Sequence, residues 1–171
     1  MQDKRQTAGQ DVKRSPAESF RPAGPDDTPV TQFGALCWRQ GEDGVQVLLV
    51  TSRDTGRWII PKGWPILGLR PEETAAREAW EEAGVRGVAS SCALGAYTYD
   101  KVVDRLANPP VTMPCVVAVY ALNVALRDRD FPEADERRHK WMSRKKAARK
   151  VDEPELAALI AAFEPDVPGR A

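Results

Sequence analysis

Glu78, Glu81 and Glu82 stand at i, i+3 and i+4 of the segment REAWEEAGV, residues 77–85. On a helix, at about 100° per residue, that spacing gathers three carboxylates within an arc of roughly 100°. Carboxylate oxygens grouped in this way suit a hard divalent cation such as Mg²⁺ or Mn²⁺. The competing reading is a solvated acidic face, the usual state of a charge run on a helix. Two costs weigh against it. Glu81 and Glu82 come just before Gly84, a C-terminal cap signal, where the helix dipole disfavours negative charge. Like charges at i, i+4 also repel by about a few tenths of a kcal/mol. A bound cation removes both objections.

The element that carries these residues is a helix over residues 72–83, entered near Pro71 and left at Gly84. Its periodicity puts Ala75, Ala76, Ala79, Trp80 and Ala83 on one face, which predicts a core stripe. Glu72 and Glu73 sit at the N-terminus, where acidic residues are favoured. Before the helix, Trp58-Ile59-Ile60 is a short strand that delivers Pro61-Lys62-Gly63 into the loop leading to it.

Residues 63–85, GWPILGLRPEETAAREAWEEAGV, resemble the Nudix box, G-x5-E-x7-R-E-U-x-E-E-x-G-U with U a bulky apolar residue. Gly63, Arg77, Glu78, Glu81, Glu82, Gly84 and Val85 fall in register. Leu69 stands where the pattern has its first glutamate, and Ala79 is a small version of U. With RWIIPKG before the box and WMSRKKAARKVDEPEL near the end, the chain resembles the diphosphoinositol polyphosphate and diadenosine polyphosphate branch of the Nudix hydrolases. The resemblance implies an α+β fold, an α/β/α sandwich with a mixed sheet between helices. It implies hydrolysis of a phosphoanhydride with Mg²⁺ or Mn²⁺ on the box helix. By position, Glu78 and Glu82 are the implied metal ligands, and Glu81 is a further ligand or the base that activates water. Arg77 is the implied orienting arginine, within reach of Glu81 or Glu73 at i±4. Leu69 removes a carboxylate that usually supports the loop and this arginine. That leaves a second reading open, a Nudix-fold binding or regulatory protein without turnover. A Nudix pyrophosphatase for another nucleoside diphosphate derivative, such as ADP-ribose, is a third.

A phosphate chain needs cations to hold it, and Arg53, Arg57, Lys62 and Arg70 flank the strand and the box loop, with Gly63 providing the loop bend. Tyr97, Tyr99 and Trp64 are each candidates either for stacking or for the core. Glu133, Asp135 and Glu136, on a late acidic loop over residues 128–136, are alternative bases, or a solvated loop. His139 is the sole histidine, which rules out a multi-histidine zinc site and gives it a structural role by default.

Lys plus Arg equals Asp plus Glu, 25 each, so no net field draws long nucleic acid or an anionic membrane, and RNA 5′ ends are the nucleic-acid substrate still to consider. No apolar run approaches the about 20 residues of a membrane span, and a signal-peptide pattern is lacking. Cys37, Cys92 and Cys115 lie among apolar residues and read as reduced core thiols of a cytoplasmic protein. The expected organisation is a flexible, proline-bearing tail over residues 1–30, a Nudix domain over 31–165 and a short tail over 166–171. Further strands are expected over 32–39 and 45–51 as a hairpin, 88–99 with a bulge at Gly95, 111–124, and 137–142, with a loop from Asp100 to Pro110. Pro114 points to an edge or bulge at the start of its strand. Ser143 is expected to cap a short helix through Lys150, and Asp152 with Glu155 to open a last helix through Phe163.

Overall fold

The computed structural model describes residues 29–166, so the tail expected over 1–30 lies outside the described residues except for Pro29 and Val30, and the C-terminal tail except for Asp166. Val30 is buried in the first strand, so it belongs to the fold and not to a tail. Strands β1 (Val30–Gly41) and β2 (Gly44–Thr51) form the expected antiparallel hairpin, with Trp38 opposite Val47 and Gly41 opposite Gly44. Gly44 turns the corner at φ 115°, a conformation open to glycine. β3 (Trp58–Ile59) pairs with β2, and β4 (Lys62–Gly63) pairs with β1, setting Phe33 against Gly63. Helix α1 (Pro71–Ala83) follows, then β5 (Val85–Asp104), β6 (Val111–Arg127), β7 (His139–Ser143), α2 (Arg144–Ala148) and α3 (Pro154–Ala162).

The sheet order is β3-β2-β1-β6-β5, with β4 attached to β1 and β7 to β2. β1 and β6 run parallel and the other pairs antiparallel, so the sheet is mixed. Side-chain alternation sorts its residues to two cores. Leu36, Trp38, Val47, Leu49, Val117 and Val119 pack on one face with Ala147, Leu156 and Ile160 of α2 and α3. Ala35, Cys37, Leu48 and Val50 pack on the other with Ala75, Ala79 and Ala83 of α1. This is the helix–sheet–helix α+β sandwich implied by the resemblance. Among the described residues no helix is long and apolar enough to cross a membrane.

Several expectations need correction. The loop expected from Asp100 is shorter, because Asp100 to Asp104 pair with Pro114 to Val111 and carry β5 on to the hairpin tip. Asn108, Pro109 and Pro110 fix only that tip, where Asp104 Oδ1 accepts from the amides of Leu106 (2.9 Å) and Ala107 (3.3 Å). Pro114 just precedes Cys115, where pairing with β1 begins, so it has a sheet neighbour on one side only. The register shifts between Ala93 and Gly95, as a bulge requires. Ser143 Oγ does cap α2 by accepting from Lys146, but Asp152 does not cap α3. Its N-cap is Glu153, without a side-chain cap bond, while Asp152 pairs with Arg57 and Glu155 accepts from Thr98. Cys37 and Cys115 are buried as expected, whereas Cys92 is exposed on β5.

Candidate functional site

A helix leaves its last four carbonyls without intrahelical partners. At the end of α1 the segment from Arg127 to His139 supplies all four. The Glu133 amide donates to the Glu81 carbonyl (3.0 Å), His139 Nε2 lies 2.8 Å from the Glu82 carbonyl, Arg127 Nε donates to the Ala83 carbonyl (3.2 Å), and the Asp128 amide donates to the Gly84 carbonyl (2.7 Å). Gly84 turns out of the helix at φ 69°, and a Cβ there would come within 2.4 Å of the Phe131 ring. Trp80 departs from the predicted core stripe and Ala76 lies at its border. Trp80 Nε1 donates to Asp128 Oδ2 (2.9 Å), and the ring is flanked by the guanidinium groups of Arg77 and Arg86. The late acidic loop is thus tied to the glutamate end of the box helix.

The three glutamates have different surroundings. Glu82 is buried, and one of its oxygens accepts from Arg137 (2.9 Å) while the other, Oε2, is buried without a partner. Glu78 lies against the backbone of Gly63, where a Cβ would stand 2.2 Å from its carboxyl carbon, so glycine there lets the Glu78 carboxyl group approach the strand without being displaced. Glu81 is more exposed and pairs with Arg77, while Glu73, the other candidate partner, goes to Arg70 at the start of the helix. Among the described residues no three acidic, histidine or cysteine side chains lie close enough together to ligate one cation. Arg77 holds Glu81 and Arg137 holds Glu82.

Arg137, read from sequence only as the start of a strand, is the residue most clearly missed. Its guanidinium side chain is 6% exposed and donates to Glu82, to Glu133 and to the Thr51 carbonyl (2.9 Å). The only local signal for it was Glu133 four residues earlier. Glu133 is brought to the site in this way, Glu136 pairs with Arg53 (3.1 Å), and Asp135 is exposed.

Beside Glu82 and Arg137 opens a cleft of about 170 Å³ whose lining includes Arg53, Arg57, Lys62 and Tyr99. Three of the four expected cations therefore share one cleft. Arg70 does not join them; at the start of α1 its side chain pairs with Glu72 (3.2 Å) and Glu73 (3.1 Å). Lys101 and Arg105, from the β5–β6 hairpin, line it as well. They escaped notice because that hairpin was expected to be loop. Lys62 is half-buried with its ammonium 4.6 Å from the centre of the Tyr99 ring, and burial lowers its pKa. The Tyr99 hydroxyl donates to Gln32 (2.6 Å). Tyr97 is in the core, and Trp64 is not part of the cleft lining.

A divalent cation fits this chemistry. Burial, aided by like charges nearby, pushes the Glu78 pKa up to about 7. Burial pushes that of Glu82 up to about 8 despite the attraction of Arg137. With the buried unpaired oxygen of Glu82, this is an acidic pair short of positive charge. Both values lie above the ordinary 4.5, so between about pH 4.5 and 8 the fold keeps protons that the unfolded chain releases. Stability without added cation is therefore expected to fall as pH rises across that window. Mg²⁺ should raise the melting temperature more at pH 8 than at pH 5.5, and its binding at pH 7 should release protons. Melting curves with and without Mg²⁺, and calorimetry in buffers of different ionisation heat, check this. Equal Mg²⁺ effects at both pH values would contradict it.

The NUDIX domain profile matches residues 30–163, and the chain belongs to that family. Nudix hydrolase 16, mitochondrial, of Arabidopsis thaliana is 33% identical over 120 residues, which are 70% of this chain and 66% of that protein. Diphosphoinositol polyphosphate phosphohydrolase 2 of Rattus norvegicus is 43% identical over 56 residues, 30% of this chain and 29% of that protein. The chain spans half to two thirds of the length of the Arabidopsis relatives it matches. In fold it is similar to a C. elegans Ap4A hydrolase, with TM-score 0.53 and 20% identity, covering 78% of this chain and 95% of that one.

Proposed function

We propose that the chain is a divalent-cation-dependent hydrolase that cleaves a phosphoanhydride bond of a polyphosphorylated small molecule by attack of water. Dinucleoside polyphosphates and diphosphoinositol polyphosphates are the leading substrate types. Family membership and the names of the relatives support the reaction class. The observation that carries it is the buried Glu82, one oxygen unpaired, lining the same cleft as Arg53, Arg57 and Lys62.

Glu78 and Glu82 would hold the cation, Mg²⁺ or Mn²⁺, with Glu81 as a further ligand. Bound there, it would neutralise phosphate oxygens and lower the pKa of a water. The chain's own residues do the rest. Arg53, Arg57 and Lys62 receive the phosphate chain as it enters the cleft. Arg137 fixes one oxygen of Glu82 and so sets the direction of the other. Arg77 orients Glu81 in the same way. Glu81, held by Arg77, is the first candidate to take the proton of the attacking water, and Glu133, held by Arg137, and Glu136, held by Arg53, are the alternatives.

The test is a Mg²⁺-dependent assay on diadenosine tetraphosphate, diphosphoinositol pentakisphosphate, ADP-ribose and a capped RNA 5′ end. Turnover of at least one is expected, abolished by chelation. If the folded protein turns over none of them, the second reading takes its place: a Nudix-fold binder without turnover. Leu69 favours that reading, because it is 41% exposed and leaves Arg77 without the usual supporting carboxylate.

A further inference from the structure

Every arginine that lines the cleft already has a carboxylate partner. Arg53 pairs with Glu136 and Glu133, Arg57 with Asp152 and Glu153 (both 3.3 Å), Arg105 with Asp54 (3.7 Å), and Arg137 with Glu82. Lys62 and Lys101 are the lining cations without a carboxylate ion pair among the described residues. Four carboxylates, those of Asp54, Glu82, Asp100 and Glu153, stand in the lining against six basic side chains. The cleft therefore offers only a small surplus of positive charge.

Glu153 is the carboxylate whose presence the fold does not explain. It is 7% exposed, one of its oxygens bonds Arg57, and the other has no partner. It is the N-cap residue of α3, yet its side chain makes no cap bond; its carbonyl receives the Ala157 amide instead. Burying a carboxylate is costly, and no cap or fully bonded network offsets it here.

Building on the hydrolase reading, we infer that Glu153 is a specificity-determining residue. It admits a short linear polyphosphate whose ends are uncharged, hydroxyl-bearing groups such as nucleosides. It turns away a substrate on which phosphates replace those hydroxyls. Each phosphomonoester carries about −1.5 to −2 charges at pH 7, so a ring bearing five of them exceeds the small surplus of positive charge in the lining. One such group near a half-desolvated carboxylate is disfavoured by about tenfold or more, even after screening.

The experiment compares the full chain with Glu153→Gln and Glu153→Lys, with Mg²⁺, on diadenosine tetraphosphate and diphosphoinositol pentakisphosphate. The unmodified chain should favour the dinucleotide in kcat/KM by about tenfold or more. Glu153→Lys should narrow that ratio by about tenfold or more, chiefly through KM for the inositol compound, with Glu153→Gln between the two. A residue with a purely structural role would lower both substrates alike, and an unchanged ratio overturns the inference. So does a preference of the unmodified chain for the inositol compound. Absence of turnover on both counts against the hydrolase reading instead. Calorimetric affinities for the same two compounds without Mg²⁺ then decide the role of Glu153 by the same ratio.

Discussion

Glu82→Gln is expected to lower kcat by more than about 100-fold while the protein stays folded. Loss of a group that only orients a metal ligand costs roughly 10- to 100-fold, so loss of a ligand itself should exceed that range. Glutamine keeps the shape and an oxygen for the Arg137 guanidinium, which is 2.9 Å from Glu82 Oε1. It also removes a charge that the buried position disfavours, as the pKa pushed up to about 8 indicates. The variant should therefore melt no lower than the parent at pH 8 without added cation. Steady-state rates at saturating Mg²⁺ and a melting curve check both halves. A variant with full rate would remove Glu82 from the machinery. In a binder that uses no metal, the same substitution should leave ligand affinity unchanged.

Arg137→Ala should have the largest effect on stability. It strands the buried Glu82, the largely buried Glu133 and the Thr51 carbonyl at once. Breaking a buried pair by removing one partner costs about 3–5 kcal/mol. For a chain of this size that is a fall of roughly 6–20 °C in melting temperature. The double variant Glu82→Gln/Arg137→Ala should recover part of the loss, since Glu82 is then no longer a buried charge without its partner. Strictly additive effects in this double-mutant cycle would show that the two side chains are not coupled. The rate should fall as well, because Glu82 and Glu133 lose the group that holds them.

What could be read from the sequence follows the range of the interactions involved. The boundaries of α1 rest on local chemistry, Pro71 in the first turn and a left-handed Gly84 at the exit, and the structure places them there. The β1–β2 hairpin likewise follows from the Gly41–Gly44 turn and the apolar run after it. β4 has two residues and no periodicity to detect; it exists because β1 presents a free edge to Lys62 and Gly63. The far half of the β5–β6 hairpin was hidden by its composition, since Asp100 and Lys101 are held in strand by their partners Pro114 and Met113. The same rule holds for the site. Glu78, Glu81 and Glu82 share one helix and could be read together. Arg137 meets Glu82 across 55 positions of chain, and Glu153 meets Arg57 across 96, distances at which no spacing argument operates.

The bonding of the four final carbonyls of α1 bears on how this site could be moved or copied. A segment of 23 residues looks like a portable cassette, but here it ends in acceptors that residues 127–139 satisfy. Grafted alone onto another sheet, the helix would keep its glutamates and lose the partners that close its last turn. The smallest transferable unit is two-part, the box helix and the distant loop that seals it. Recombination or design that separates them would carry the motif without the site.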